Sequence, residues 1–135
     1  MLYLGKGTIK NAYNGAVTVG LRANADSGNN YGFQRLSGVN TTVSGERDTS
    51  EAQMTFAGLD AQNKFSQFSF LLFAHKGFIR PAILEQSYDI ATTTVGGITY
   101  RGFSWSNTAD NITALSLVSN QSSFLGNFEL YKLNI

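Results

Sequence analysis

Side chains along this chain alternate with a period of two, and almost nowhere with the period of about 3.6 residues that marks a helix. Val17, Val19, Leu21, Ala23 and Ala25 fall on one side of an extended segment. Thr18, Gly20, Arg22 and Asn24 fall on the other. Such a strand has one dry and one wet face, because successive side chains point to opposite sides. The alternation recurs at residues 31–36 and at 98–105. In the second of these, Ile98, Tyr100, Gly102 and Ser104 oppose Thr99, Arg101, Phe103 and Trp105. Residues 112–118 and 128–135 close the pattern. About eight to ten short strands at even spacing predict an all-β fold, an antiparallel sandwich. At 135 residues, with no internal repeat or linker, residues 1–135 are expected to form one domain.

Turns and breakers refine this expectation. Residues 26–30 (Asp-Ser-Gly-Asn-Asn) predict a turn. Residues 38–50 are polar and are read as a long loop, with at most a short strand at 41–43. Residues 51–57 are taken as a strand and 58–64 as a turn. Residues 65–75 are the most apolar stretch and predict a central strand. Phe68, Phe70, Leu72 and Ala74 would fill one face. Leu71 and Phe73 would fill the other, with both sides of the second half covered. Pro81 suggests a sheet edge, since proline cannot donate to a ladder. Val95-Gly96-Gly97-Ile98 has the look of a hairpin turn.

Composition narrows the function classes. The chain has no cysteine, which excludes disulfides, thiolate metal sites and cysteine catalysis. Charged residues make up 14%, against about 25% in an ordinary domain. The net charge is +1 and the basic residues come singly, so no basic stripe marks a nucleic-acid binder. The apolar run at 68–74 is too short for a membrane helix, which takes about 20 residues. No leader-type apolar stretch follows Met1. A sparse, neutral surface suits a protein packed into an assembly.

Reactive groups do not gather in the sequence. Gly5-Lys6-Gly7-Thr8 lacks the upstream glycine and following helix of a phosphate-binding loop, and is read as a turn. His75 is the sole histidine and is read as a structural residue at a strand end. The carboxylates are scattered, and the 26–30 segment carries only one, too few for a calcium loop. Asn40, Asn111 and Asn120 begin glycosylation-type triplets that an Asn/Ser/Thr-rich chain produces by chance. Tyr100, Phe103 and Trp105 could stack on a sugar. However, Trp105 shares a face with Phe103 and a sandwich needs large residues at its ends, which favours the core over a site for this cluster. No catalytic residue, metal ligand or cofactor is predicted.

Four segments carry a resemblance. They are Arg101-Gly102-Phe103-Ser104-Trp105-Ser106-Asn107, Ile112-Thr113-Ala114-Leu115-Ser116-Leu117, Gly126-Asn127-Phe128-Glu129-Leu130-Tyr131-Lys132-Leu133, and the earlier Tyr31-Gly32-Phe33-Gln34-Arg35-Leu36-Ser37-Gly38. This pattern resembles the jelly-roll modules of bacteriophage virion proteins, namely capsid decoration (cement) proteins and tail-fibre heads. Asn127 and Lys132 depart from the small residues commoner at those places. The resemblance implies a jelly-roll-like sandwich and a non-enzymatic structural protein of the virion, assembled in the host cytoplasm as a homotrimer. The implied partner is the major capsid protein or another virion protein, with no cofactor, nucleic acid or membrane. Because the β-pattern begins almost at Met1 and no shaft repeats occur, decoration is favoured over a fibre. Leu2, Tyr3, Leu4 and Ile9 are then expected to contact the shell or a sister subunit, with residues 1–9 as an attachment arm. The alternative is a receptor-binding tip or carbohydrate-binding module that meets a host surface glycan through Tyr100, Phe103 and Trp105.

Overall fold

The computed structural model describes residues 1–55, 59, 62–91, 94–121 and 124–134. Among them are ten strands: β1 (Leu2–Asn11), β2 (Val19–Ala23), β3 (Tyr31–Val39), β4 (Thr42–Glu51), β5 (Met54–Thr55), β6 (Phe65–Phe73), β7 (Arg80–Ala91), β8 (Thr94–Trp105), β9 (Leu115–Ser119) and β10 (Phe124–Leu133). Every pairing is antiparallel. A large sheet runs β10-β1-β6-β7-β8-β3-β4, and a small sheet runs β5-β2-β9. The chain is an antiparallel β-sandwich with layers of very unequal width.

The core lies between the sheets, and the period of two fills it. On β6, Ser66, Phe68, Phe70 and Leu72 are buried while Phe65, Gln67 and Phe73 face out. On β8, Thr99, Arg101, Phe103 and Trp105 point inward. The small sheet answers with Val19, Leu21, Ala23 and Met54, joined by Val17 and Leu59, which form an isolated bridge.

Strand β1 crosses this core with two glycines that leave room for rings from β6. A Cβ on Gly5 would stand 2.1 Å from Cε1 of Phe70, and one on Gly7 would stand 2.9 Å from Cζ of Phe68. Phe128 of β10, paired with Gly7, stacks on both rings at centroid distances of 6.2 Å. A strand without side chains at these two points therefore lets three aromatic rings meet across it.

Several expectations need correction. Residues 38–50 are not a loop, because β4 pairs with β3 from Val39↔Thr42 to Tyr31↔Glu51. Asn40, at φ 53°, sits in the two-residue connection, where positive φ suits a tight hairpin. Pro81 is not at an edge, because β7 is interior. It is the second residue of β7, beyond Ala82, the last residue paired with β6, and its ladder neighbour is Ser104 of β8. Val95-Gly96-Gly97-Ile98 belongs to β8, and the connection from β7 passes through residues 92–93, outside the described residues. Gly97 receives the Tyr88 ring, whose Cζ would be 2.3 Å from an added Cβ.

Gly5-Lys6-Gly7-Thr8 is the middle of β1, not a turn. Residues 1–9 are no free arm, because β1 is bonded to β10 on one side and β6 on the other. The second half of β6 is covered on one side only, leaving Phe73 exposed. The strand read at 112–118 begins later, with β9. Among the described residues of 51–57, β5 is strand and Glu51 ends β4. Residues 56–58, 60 and 61, part of the strand and turn expected there, lie outside the described residues.

Substituting Gly5→Val puts two methyls where the Phe70 ring lies. It is expected to destabilise the fold by about 2 kcal/mol or more. Urea unfolding of the variant checks this, and an unchanged midpoint would contradict the ring-over-glycine packing.

Candidate functional site

Cross-strand register arranges the outer face of the large sheet in rows. The first row is Leu133, Leu2 and Phe73. The second runs Tyr131, Leu4, Leu71, Ile83, Gly102 and Gln34. The third runs Glu129, Lys6, Ser69, Glu85, Tyr100 and Leu36, and the fourth Asn127, Thr8, Gln67, Ser87, Ile98 and Gly38.

The first two rows are almost wholly apolar yet open, with Leu4 38% and Ile83 59% exposed. The β6–β7 hairpin at the same end adds Phe78, 64% exposed, and Ile79. The third and fourth rows are mostly polar. Lys6 pairs with Glu129 at 3.2 Å. The Tyr131 hydroxyl donates to Glu129 at 2.6 Å, and the two contacts hold that carboxyl below its ordinary range. Ser69 Oγ donates to Glu85 Oε1 at 2.8 Å. Tyr100, 53% exposed, stands between two shallow cavities. One, of about 360 Å³, is lined by Gln67, Ser69, Glu85, Ser87, Ile98 and Tyr100. The other, of about 490 Å³, is bounded by Gln34, Arg35, Leu36, Gly45, Ile83, Tyr100, Arg101 and Gly102.

The residues expected at a site are split by the fold. Leu4 is on the outer face and Leu2 is half-buried beside it. Tyr3 and Ile9 are in the core, and the Tyr3 hydroxyl donates to the Ile112 carbonyl at 3.1 Å, so neither offers a surface for a partner. Tyr100 faces out, whereas Phe103 and Trp105 face in and are buried. The aromatic trio therefore cannot line one glycan site, because residues an odd number apart on a strand point to opposite faces. Alternation did not flag Ile83, Glu85 and Gln67 as neighbours of Tyr100. Only strand order and register bring them together.

Trp105 instead anchors a buried network. Its ring stacks on Tyr31 at 6.4 Å and lies under the Arg80 guanidinium at 5.4 Å. Its Nε1–H donates to Asp26 Oδ2 at 2.8 Å. Arg80 is fully buried and donates to the backbone carbonyls of Asn107, Thr108 and Asp110. Burial pushes the Tyr31 phenol up to about 12. Arg101, also buried, donates to the Thr55 carbonyl and lies 5.6 Å from the centre of the Phe33 ring. Burial, with the like charge of Arg35 beside it, pulls Arg101 down to about 10.

Asp26 sits in the β2–β3 turn. Desolvation works to raise its pKa, but hydrogen bonds from Trp105, Asn30 and the Gly28 N–H, with the charge of Arg22, outweigh it and hold the carboxyl below its ordinary value.

His75 is exposed in the β6–β7 hairpin, edge-on to Phe78 with ring centroids 5.4 Å apart. Among the described residues no cluster of His, Asp or Glu could hold a metal ion. No protein family, curated protein or solved structure matches this chain.

Asp26 also sets an acid limit. Its folded pKa lies below the unfolded one, so its stabilisation is present above the ordinary value of 3.8 and is lost as pH falls below that through the folded value. Asp26→Asn is expected to lower stability by about 1 kcal/mol at pH 7 and to flatten the loss at acid pH. Urea midpoints of wild type and variant at neutral and acid pH check this. Parallel pH profiles would contradict the role given to the Trp105–Asp26 bond.

Proposed function

We propose that this protein is a non-enzymatic structural protein of a bacteriophage virion, a capsid decoration protein that docks through the apolar end of the large sheet's outer face. One observation carries the docking surface: Leu2, Leu4, Leu71, Phe73, Ile83, Tyr131 and Leu133 fall in adjoining rows on a face that no layer of described residues covers. The resemblance at residues 101–107, 112–117 and 126–133 supports the shell as partner.

The physics of such docking is simple. Removing apolar surface from water contributes about 25 cal/mol per Å². Few charges stand in the first two rows, so little desolvation opposes it. The side chains stand on bonded strands, so little conformational freedom is lost on contact. Binding across neighbouring shell subunits stabilises the assembled state, because the ligand binds that state and not the dispersed one. A trimer would multiply weak contacts into firm attachment.

Removing residues 1–9 does not test this reading, since it removes an interior strand. Charged residues at open positions do. The pair Leu4→Glu and Ile83→Lys should leave the far-ultraviolet circular dichroism unchanged. It should lower occupancy on purified shells by on the order of tenfold or more. Undiminished occupancy by this folded variant would overturn the reading.

A further inference from the structure

We infer a second binding site on the same face, a platform for a neutral oligosaccharide centred on Tyr100. Its centre lies one row away from the apolar end, with Ile83 on the border between them, and it does not rest on the docking reading. Tyr100, Ser69 and Glu85 belong to one register row, and Ile98, Ser87 and Gln67 to the next. The six residues form a grid on the interior strands β6, β7 and β8. Strand and residue spacing make that grid about 10 Å by 7 Å, the footprint of one or two sugar rings. The cavity over it holds about 360 Å³.

The chemistry of the grid selects the ligand. A pyranose has an apolar C–H face and a rim of hydroxyls. The half-exposed Tyr100 ring, with Ile98 beside it, offers the apolar partner. Glu85, Gln67 and Ser87 offer acceptors and donors at its edge. Ser69 holds one Glu85 oxygen at 2.8 Å, which orients the carboxylate so that its second oxygen can accept a hydroxyl. Among the described residues no lysine or arginine lines this cavity and the one charge there is negative, so acidic sugars are disfavoured.

The second cavity, of about 490 Å³, continues beyond Tyr100 over Gly102; Arg35 and Arg101 also bound it, but the first is paired with Glu46 and the second turns its guanidinium to the Thr55 carbonyl. A Cβ built on Gly102 would meet nothing within 4 Å, so the backbone there is an open floor. Tyr100 therefore stands between two adjoining spaces, as a ring would in a site that takes a chain of sugars rather than a single one.

The test uses the full chain on a printed array of neutral gluco-, galacto- and manno-oligosaccharides with their sialylated counterparts. Saturation-transfer NMR with the best neutral tetrasaccharide follows. The expected result is binding to a neutral series and weaker binding to its acidic forms. Tyr100→Ala should lower affinity by on the order of tenfold, and Tyr100→Phe should retain it. Ser87→Tyr, which fills the first cavity, should block binding while amide spectra show an intact fold. Leu4→Glu, at the apolar end, should leave sugar binding unchanged. Absence of any neutral glycan signal from the wild type, or full binding by Tyr100→Ala, would overturn the inference.

Discussion

A small sheet cannot cover a large one, and much of this structure follows from that mismatch. Only β5, β2 and β9 face the inner side of a sheet that runs from β10 to β4. The inner face is dry where the small sheet reaches and salted with polar groups elsewhere, such as Ser37, which meets Ser44 at 3.0 Å, and the Arg35–Glu46 pair. The outer face has no second layer among the described residues. An antiparallel sheet with one solvated face ordinarily keeps that face polar. Here the rule holds for most of the rows through Tyr100 and Ile98 and fails for those through Leu4 and Leu133. Core packing does not require the failing rows, because their side chains point away from it. Their apolar character asks for another explanation, and a contact surface supplies one.

The buried cations show how the two layers are held in place. A guanidinium taken out of water is costly unless its donors are met. Arg80 meets this cost with backbone carbonyls of residues 107, 108 and 110 and the face of Trp105. Arg101 meets it in part, with the Thr55 carbonyl and the ring of Phe33, and the Nε of each of the two arginines finds no acceptor among the described residues. A leucine at either place would pack, but it would not reach out and hold a loop or a short strand. Arg80 ties the segment after β8 to β7, and Arg101 ties β5 to β8. Trp105 completes the set through Asp26, which fixes the turn between β2 and β3. Each link joins the large sheet to a segment that leads into or out of the small one.

How much of this was legible depends on whether a strand has a dry side. Strands β2, β6 and β8 do, and their inward faces could be read from the alternation of Val19, Leu21 and Ala23, of Phe68, Phe70 and Leu72, and of Phe103 and Trp105. Strand β4 has none. Its residues from Thr42 to Ser50 are all exposed, so no period of two appears and a loop is the natural reading. Gly97 looked like a turn because glycine suits positive φ. Its actual role, space for the Tyr88 ring, is a tertiary contact that no local pattern announces. The same holds for Gly5 and Gly7. Tyr3 and Ile9 were placed at a surface because their neighbours in sequence looked like an arm. Their burial depends on β10 and β6 closing on both sides. The candidate sites were least legible of all. Each row of the outer face takes its residues from strands far apart in the chain.

The two edges of the large sheet differ in a way that bears on where a partner sits. Strand β4 is exposed from Thr42 to Ser50 and carries Glu46, Arg47 and Asp48, charges that discourage pairing with another strand. Strand β10 carries Leu125, Leu130, Tyr131 and Leu133 as exposed apolar residues, with Glu129 tied to Lys6 and Tyr131. Of these only Tyr131 and Leu133 belong to the apolar rows, which run out to this edge through their pairing with Leu4 and Leu2. A surface needed only for solubility would treat both edges alike. An asymmetric one, with its adjoining apolar rows gathered at the β10 side, favours one direction of approach for a partner. It also leaves the polar rows around Tyr100 at the border of that contact, where water can still reach them.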